Sequence, residues 1–152
     1  MSAGVTLARG RARHVPALAR ILWAYTRATP GLPCARSRGE DLALLWRVTR
    51  GRQVRVALAR GRPAGFVVRD GALVHALHVA PRWRGHGVGR ALMAEAQARA
   101  GPLELWVLAE NARARRFYRE AGFAEAARAR GGGNDEGLPD IRMVWTAERR
   151  PA

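Results

Sequence analysis

The chain has 152 residues, which fits one domain able to bury roughly 68–70% of its unfolded surface around its own core. Its single cysteine, Cys34, excludes an intrachain disulfide framework and thiolate metal clusters, and no uninterrupted apolar stretch approaches the ~18 residues of a membrane span. With 27 basic and 12 acidic side chains the net charge is +15, which points to a polyanionic partner: nucleic acid, anionic lipid or a phosphorylated cofactor.

That charge has a second reading. Every basic residue is Arg, and Ala and Gly are also abundant, a pattern that coding-sequence composition alone produces. The segment before Glu40 is Arg-rich and acid-free like a transit peptide, but Val5 to Arg9 already reads as a strand of the domain, so a cleaved leader is not expected and the cytoplasm is the default location.

In chain order, Val5 to Ala8 predicts a short strand, and Val15, Leu18, Leu22 and Tyr25 recur at helical spacing with Pro16 in the first turn. Breakers from Thr29 to Pro33 mark a loop, and Ser37 with Glu40 three positions later forms a capping box that opens a second helix. Three strands follow, Gln53 to Ala59, Ala64 to Arg69 and Leu73 to Val79, divided by Gly61-Arg62-Pro63 and by the hairpin dipeptide Asp70-Gly71. A glycine-rich turn then leads into a helix from about Val88 to Ala100, stopped by Gly101-Pro102. Leu103 to Leu108 is a buried strand. Ala114, Phe117, Tyr118 and Ala121 form a helical stripe ending at Gly122, and Phe123 opens another strand. Residues 131–140 read as an acidic glycine-rich loop, Ile141 to Trp145 as a last strand, and 148–152 as a frayed tail after a single domain over 1–147.

The chemistry concentrates in Arg84-Gly85-His86-Gly87-Val88-Gly89. Glycines at 85, 87 and 89 let backbone amides turn inward on an anion where the next helix presents its positive end. No Gly-Lys-Ser/Thr ending follows, so this is not a nucleotide P-loop. A tight structural turn remains the plain alternative.

In context, Leu77-His78-Val79-Ala80-Pro81, then Arg84-x-x-Gly87-x-Gly89 and Leu92, resembles the acetyl-CoA motif of the GNAT superfamily of acyl-CoA-dependent N-acyltransferases. A second signature, Asn111-x-x-Ala114-x-x-x-Tyr118-x-x-x-Gly122-Phe123, resembles the closing helix of the same superfamily. The resemblance covers Val5 to Trp145. It implies an α/β fold with a mixed, mostly antiparallel seven-stranded sheet and about four helices, splayed between strands 4 and 5.

It further implies transfer of an acetyl group from acetyl-CoA, without a metal, to a small-molecule or peptide primary amine through a tetrahedral intermediate. Main-chain groups of Leu77 and Val79 would pair with the pantetheine arm and Asn111 would face it. Amides of Gly85, His86, Gly87, Val88, Gly89 and Arg90 would hold the pyrophosphate, with the side chains of Arg84 and Arg90 nearby. Arg82, Arg113, Arg115 and Arg116 are also near enough in sequence to reach phosphates, but solvated surface is the reading for most of this set, and only Arg84 and Arg90 are favoured. Tyr118 stands where the family keeps a general acid, and the Val79 amide where an oxyanion donor is expected.

For the base, His75 replaces the carboxylate of many relatives and resembles the histidine-bearing strand of arylalkylamine acetyltransferases. An imidazole suits that task near neutral pH. A structural His75, an amine arriving neutral, or Glu110 stays open beside it. His86 faces solvent or phosphate, His14 is a helix-start residue, and Asp135 and Glu136 are candidates for attracting a cationic acceptor. A homodimer stays open and no membrane contact is expected. Two rival functions are a basic nucleic-acid- or ribosome-associated module and a catalytically inert CoA sensor.

Overall fold

A computed structural model describes residues 4–28, 36–129 and 140–147. Seven strands hydrogen-bond in the order β1-β2-β3-β4-β5-β7-β6 and four α-helices accompany them. The chain forms two compact units, Met1–Arg69 with Ala76–Met93, and Asp70–His75 with Ala94–Ala152.

The first unit holds β1 (Val5–Arg9), α1 (Val15–Arg27), α2 (Arg38–Arg50), β2 (Val54–Ala59) and all but the last residue of β3 (Arg62–Asp70). It also takes most of β4 (Leu73–Val79) and the opening of α3 (Val88–Ala100). α1 carries Pro16 in its first turn, where its missing N–H costs nothing. α2 starts at the expected capping box: Glu40 N–H donates to Ser37 Oγ and Ser37 N–H to Glu40 Oε1. Both helices bury one stripe, Leu18, Ala19, Ile21 and Leu45, on Val54 and Val56 of β2 and Phe66 and Val68 of β3. Alternate residues of the two strands therefore form the floor of this core.

β3 begins earlier than expected. Arg62 and Pro63 pair with Ala59 and Leu58, and the turn is Arg60-Gly61, both with positive φ (52° and 77°), as a two-residue hairpin of this hand requires. A register irregularity between Ala57 and Leu58 accompanies the proline, which has no N–H to give to a regular ladder. The next turn is Gly71-Ala72, with only Gly71 in the left-handed region (φ 59°), so Asp70 closes β3 instead of entering the turn.

The second unit contains the start of β4, the rest of α3, β5 (Leu103–Leu108), α4 (Ala112–Glu120), β6 (Ala124–Ala129) and β7 (Asp140–Trp145). β5 and β7 pair antiparallel, aligning Leu103 with Trp145, Leu105 with Met143 and Val107 with Ile141, so six buried side chains line one face. Asp140 belongs to this strand, paired with Leu108, and corrects the expected loop end at 140. The parallel β4–β5 ladder consists of Leu73 opposite Glu104 and Val74 opposite Leu105, then stops.

Candidate active site

In the first unit, Ala80 N–H donates to Ala64 O at 2.7 Å, fixing the end of β4 to β3. A single 3-10 turn over Pro81–Trp83 follows. Gly85 and Gly87 then take φ values of 79° and 80°, backbone that an L side chain adopts only under strain. The Gly87 carbonyl accepts from Ala91 N–H at 3.0 Å, making Gly87 the residue from which α3 starts. Gly85, His86 and Gly87 are exposed, whereas Val88 and Gly89 are buried and anchor the helix. The opening N–H groups of α3 have no intrahelical acceptor and carry the positive end of its dipole. Two left-handed glycines, exposed amides and a helix start fit a diphosphate. His86 sets its ring edge against Trp83 at 5.5 Å, and Arg90 is exposed.

The same unit holds a second histidine of β4. His78 packs against Tyr25 of α1 (4.9 Å between ring centroids) and Phe66 of β3 (5.6 Å). Burial, reinforced by the nearby Arg84 cation, lowers its pKa to about 4, so the imidazole is neutral at neutral pH. Arg84 is half-buried, and its charge bears on this ring as well as on the glycine turn that follows it. Leu77 and Val79, on the opposite face of β4 by strand alternation, are half-buried.

His14 is buried, and its Nδ1 accepts from Arg11 N–H at 3.0 Å. Desolvation and then the flanking Arg13 and Arg11 lower its pKa. Between α1 and α2, buried Asp41 accepts from Trp23 Nε1 and from Arg36 Nε, both at 2.9 Å, while Arg38 stacks over Trp23 at 4.6 Å. This node joins the two helices through one carboxylate.

In the second unit, His75 is exposed on β4. Tyr118 is buried on α4, flanked by Phe117 at 5.3 Å and Phe123 at 5.7 Å, and its carbonyl accepts from Phe123 N–H at 2.9 Å. The ring is thus locked by its neighbours. Asn111 caps α4, its Oδ1 accepting from Ala114 N–H at 3.1 Å, which leaves its amide N–H groups as donors. Glu110, beside it, is exposed.

Arg115 departs from the expected solvated surface. Its Nη1 donates to Ala109 O at 3.0 Å and its Nη2 to Glu125 Oε2 at 2.7 Å. Arg119 lies 3.8 Å from the same carboxylate oxygen. Arg115 thereby ties α4 both to the turn carrying Glu110 and Asn111 and to β6. Spacing offered one hint of this, Glu120 and Glu125 as the two acids of an otherwise arginine-rich stretch.

Cys34, Asp135 and Glu136 lie outside the described residues. Among the described residues no group of three or more His, Cys, Asp or Glu side chains is placed to hold a metal ion, and no helix is long and apolar enough to cross a membrane.

A mixed sheet of this order with a glycine turn opening α3 defines an acetyltransferase-type fold. A family model described as an acetyltransferase (GNAT) domain matches residues 50–125, half of the chain, and the protein belongs to that family. Peptidyl-lysine N-acetyltransferase YjaB of Escherichia coli strain K12 is 37% identical, the match covering 46% of this chain and 48% of that protein. Uncharacterized N-acetyltransferase MJ1207 of Methanocaldococcus jannaschii is 36% identical over a match that spans 38% of its own length. The chain thus matches less than half of either curated relative. Among solved structures, apo YjaB from Escherichia coli superposes with a TM-score of 0.78 at 27% identity, covering 93% of this chain and 97% of that one. The yncA protein of Salmonella typhimurium, solved with its cofactor acetyl-CoA, shares the fold at a TM-score of 0.74 and 19% identity, over 97% and 96% of the two chains.

Proposed function

We propose that this chain is an N-acetyltransferase that moves an acetyl group from acetyl-CoA to a primary amine by direct attack. The observation that carries the reading is the turn at Gly85 and Gly87, whose left-handed backbone leads exposed amides into the positive end of α3. Acetyl-CoA, when bound, supplies an activated thioester. Amides of Gly85 to Arg90 and the Arg84 and Arg90 side chains hold its diphosphate, main-chain groups of Leu77 and Val79 pair with its arm, and Asn111 offers the amide donors its cap leaves over. The Val79 N–H takes developing negative charge.

Tyr118 Oη holds the proton for the departing sulfur, and exposed His75 takes the proton of the attacking amine, with Glu110 the acidic substitute. His78, neutral but enclosed by two aromatic rings, serves the architecture of β4. The name of the Escherichia coli relative makes a lysine side chain of a peptide the first acceptor to try. A single catalytic domain over 1–147, acting in the cytoplasm, completes this proposal.

Acetyl-CoA is expected to raise the melting temperature of the protein, and Gly87→Trp to abolish that response. Thiol release with lysine peptides and a panel of amines reads turnover, and Tyr118→Phe should lower it by about 10²–10⁴-fold with cofactor binding retained. Absence of binding heat with every acyl-CoA tried would overturn the reading. Unchanged turnover in Tyr118→Phe would remove the acid assignment alone.

A further inference from the structure

α2 shows solvent a face that supplies no residue to the proposed acetyl-transfer site. Leu42 and Trp46, one turn apart, are 36% and 46% exposed. One turn further, Arg50 holds its guanidinium 6.0 Å from the Trp46 ring centroid. Gly39, Ala43 and Arg47 are exposed too and fill the same face at three- and four-residue spacing. The helix's inner side is already committed, with Leu45 in the core and Asp41 holding Trp23 and Arg36.

The charge on this face has one sign. Glu40 is engaged in the Ser37 cap, Asp41 is turned inward, and no acidic residue occurs between Asp41 and Asp70. Arg47 and Arg50 make no ion pair among the described residues.

These features select an occupant. A second copy of the chain meeting this face symmetrically would bring Arg47 and Arg50 of both copies into one interface with no acidic residue of the face to pair them, an unfavourable concentration of like charge. Lipid binding needs a broad apolar face, and only Leu42 and Trp46 are left for it. An acidic peptide satisfies the arginines and leaves the indole uncovered. A single-stranded polynucleotide meets both demands: phosphates lie against Arg47 and Arg50 while a base stacks on Trp46, a contact indifferent to sequence because every base has a flat face.

We propose that the outer face of α2 is a docking surface for single-stranded nucleic acid, with Trp46 as the stacking platform and Arg47 and Arg50 as phosphate contacts. The proposal is independent of the acetyl-transfer reading, since none of these residues belongs to that site.

A chain of net charge +15 attracts any polyanion, so the test reads stacking and not total affinity. Fluorescence anisotropy with an end-labelled single-stranded uridine oligonucleotide is titrated in parallel with labelled polyglutamate and with phosphatidylserine vesicles. Trp46→Ala should weaken the oligonucleotide on the order of ten-fold while leaving polyglutamate and vesicle binding unchanged, and Trp46→Phe should restore most of the loss. Replacing Arg47 and Arg50 together by Gln should reduce the salt dependence of log affinity by about 1.4, the share of two phosphates on a single strand. All three positions are exposed, and the variants should melt with the parent. Oligonucleotide affinity insensitive to Trp46→Ala, or equal losses for polyglutamate or vesicles, would overturn the proposal.

Discussion

Gly65 offers a direct test of how the end of β4 and the start of α3 are held together. It lies in β3 opposite Ala57, and a Cβ added there would stand 2.9 Å from the His78 carbonyl oxygen, 2.9 Å from Val88 Cγ1 and 3.4 Å from Val79 Cα. Neither of the two closest atoms can swing aside. One is backbone, and the other belongs to a side chain only 1% exposed. Gly65→Ala must therefore push β4 or α3 outward by a few tenths of an ångström, an overpacking that costs about 1–3 kcal/mol. In a chain of this size the melting temperature should fall by about 2–12 °C. The displaced Val79 and Val88 bracket the proposed diphosphate cradle, so acetyl-CoA should bind more weakly as well. Gly61→Ala is the control. Its added carbon meets nothing within 4 Å, and its cost, about 1–2 kcal/mol, comes from φ of 77° alone, with acetyl-CoA affinity intact. A Gly65→Ala protein that melts with the parent and binds acetyl-CoA equally well would refute this account of the packing.

His78 predicts an acid-sensitive fold. Its folded pKa of about 4 lies below the ordinary 6.5, so the unfolded chain takes up the proton first. The contribution is complete above about pH 6.5 and is lost as the pH falls toward 4, by up to about 3 kcal/mol. Buried His14 acts in the same direction. Urea unfolding at several pH values should show this decline, and His78→Phe should flatten it; an unaltered slope would remove His78 as its source. Arg115→Gln should destabilise the protein by about 1 kcal/mol by weakening the half-exposed pair with Glu125 and removing the guanidinium donor from the Ala109 carbonyl, and Arg115→Lys should restore it only in part. Chemical denaturation of the three proteins measures this, and equal stability would return Arg115 to the solvated surface.

Residues whose role is written in near neighbours were legible before any coordinates. Ser37 and Glu40 formed their capping box, and the glycine turn opened α3 at Val88 as its spacing required. Leu103 to Leu108 and Ile141 to Trp145, read as strands from their apolar runs, are strands. Turn boundaries were less legible, because Arg60 takes a left-handed conformation that glycine usually supplies, and Pro63 sits inside a strand beside a register irregularity. Tertiary contacts were hidden altogether. Nothing in the spacing of His78 shows that Tyr25 and Phe66 enclose it, and Arg115 gains its meaning from Glu125 ten residues away. Asp41 resembles any acid in a first helical turn until Trp23, on another helix, donates to it.

The three-residue interval between His75 and His78 has a consequence for chemistry on β4. An odd interval in a strand sends the two rings to opposite sides, so one is exposed while the other packs half-buried against two aromatic rings. Two copies of one side chain thereby acquire unequal exposure to reagents through arithmetic alone. A single-residue insertion between them would put both on the same side and erase the distinction.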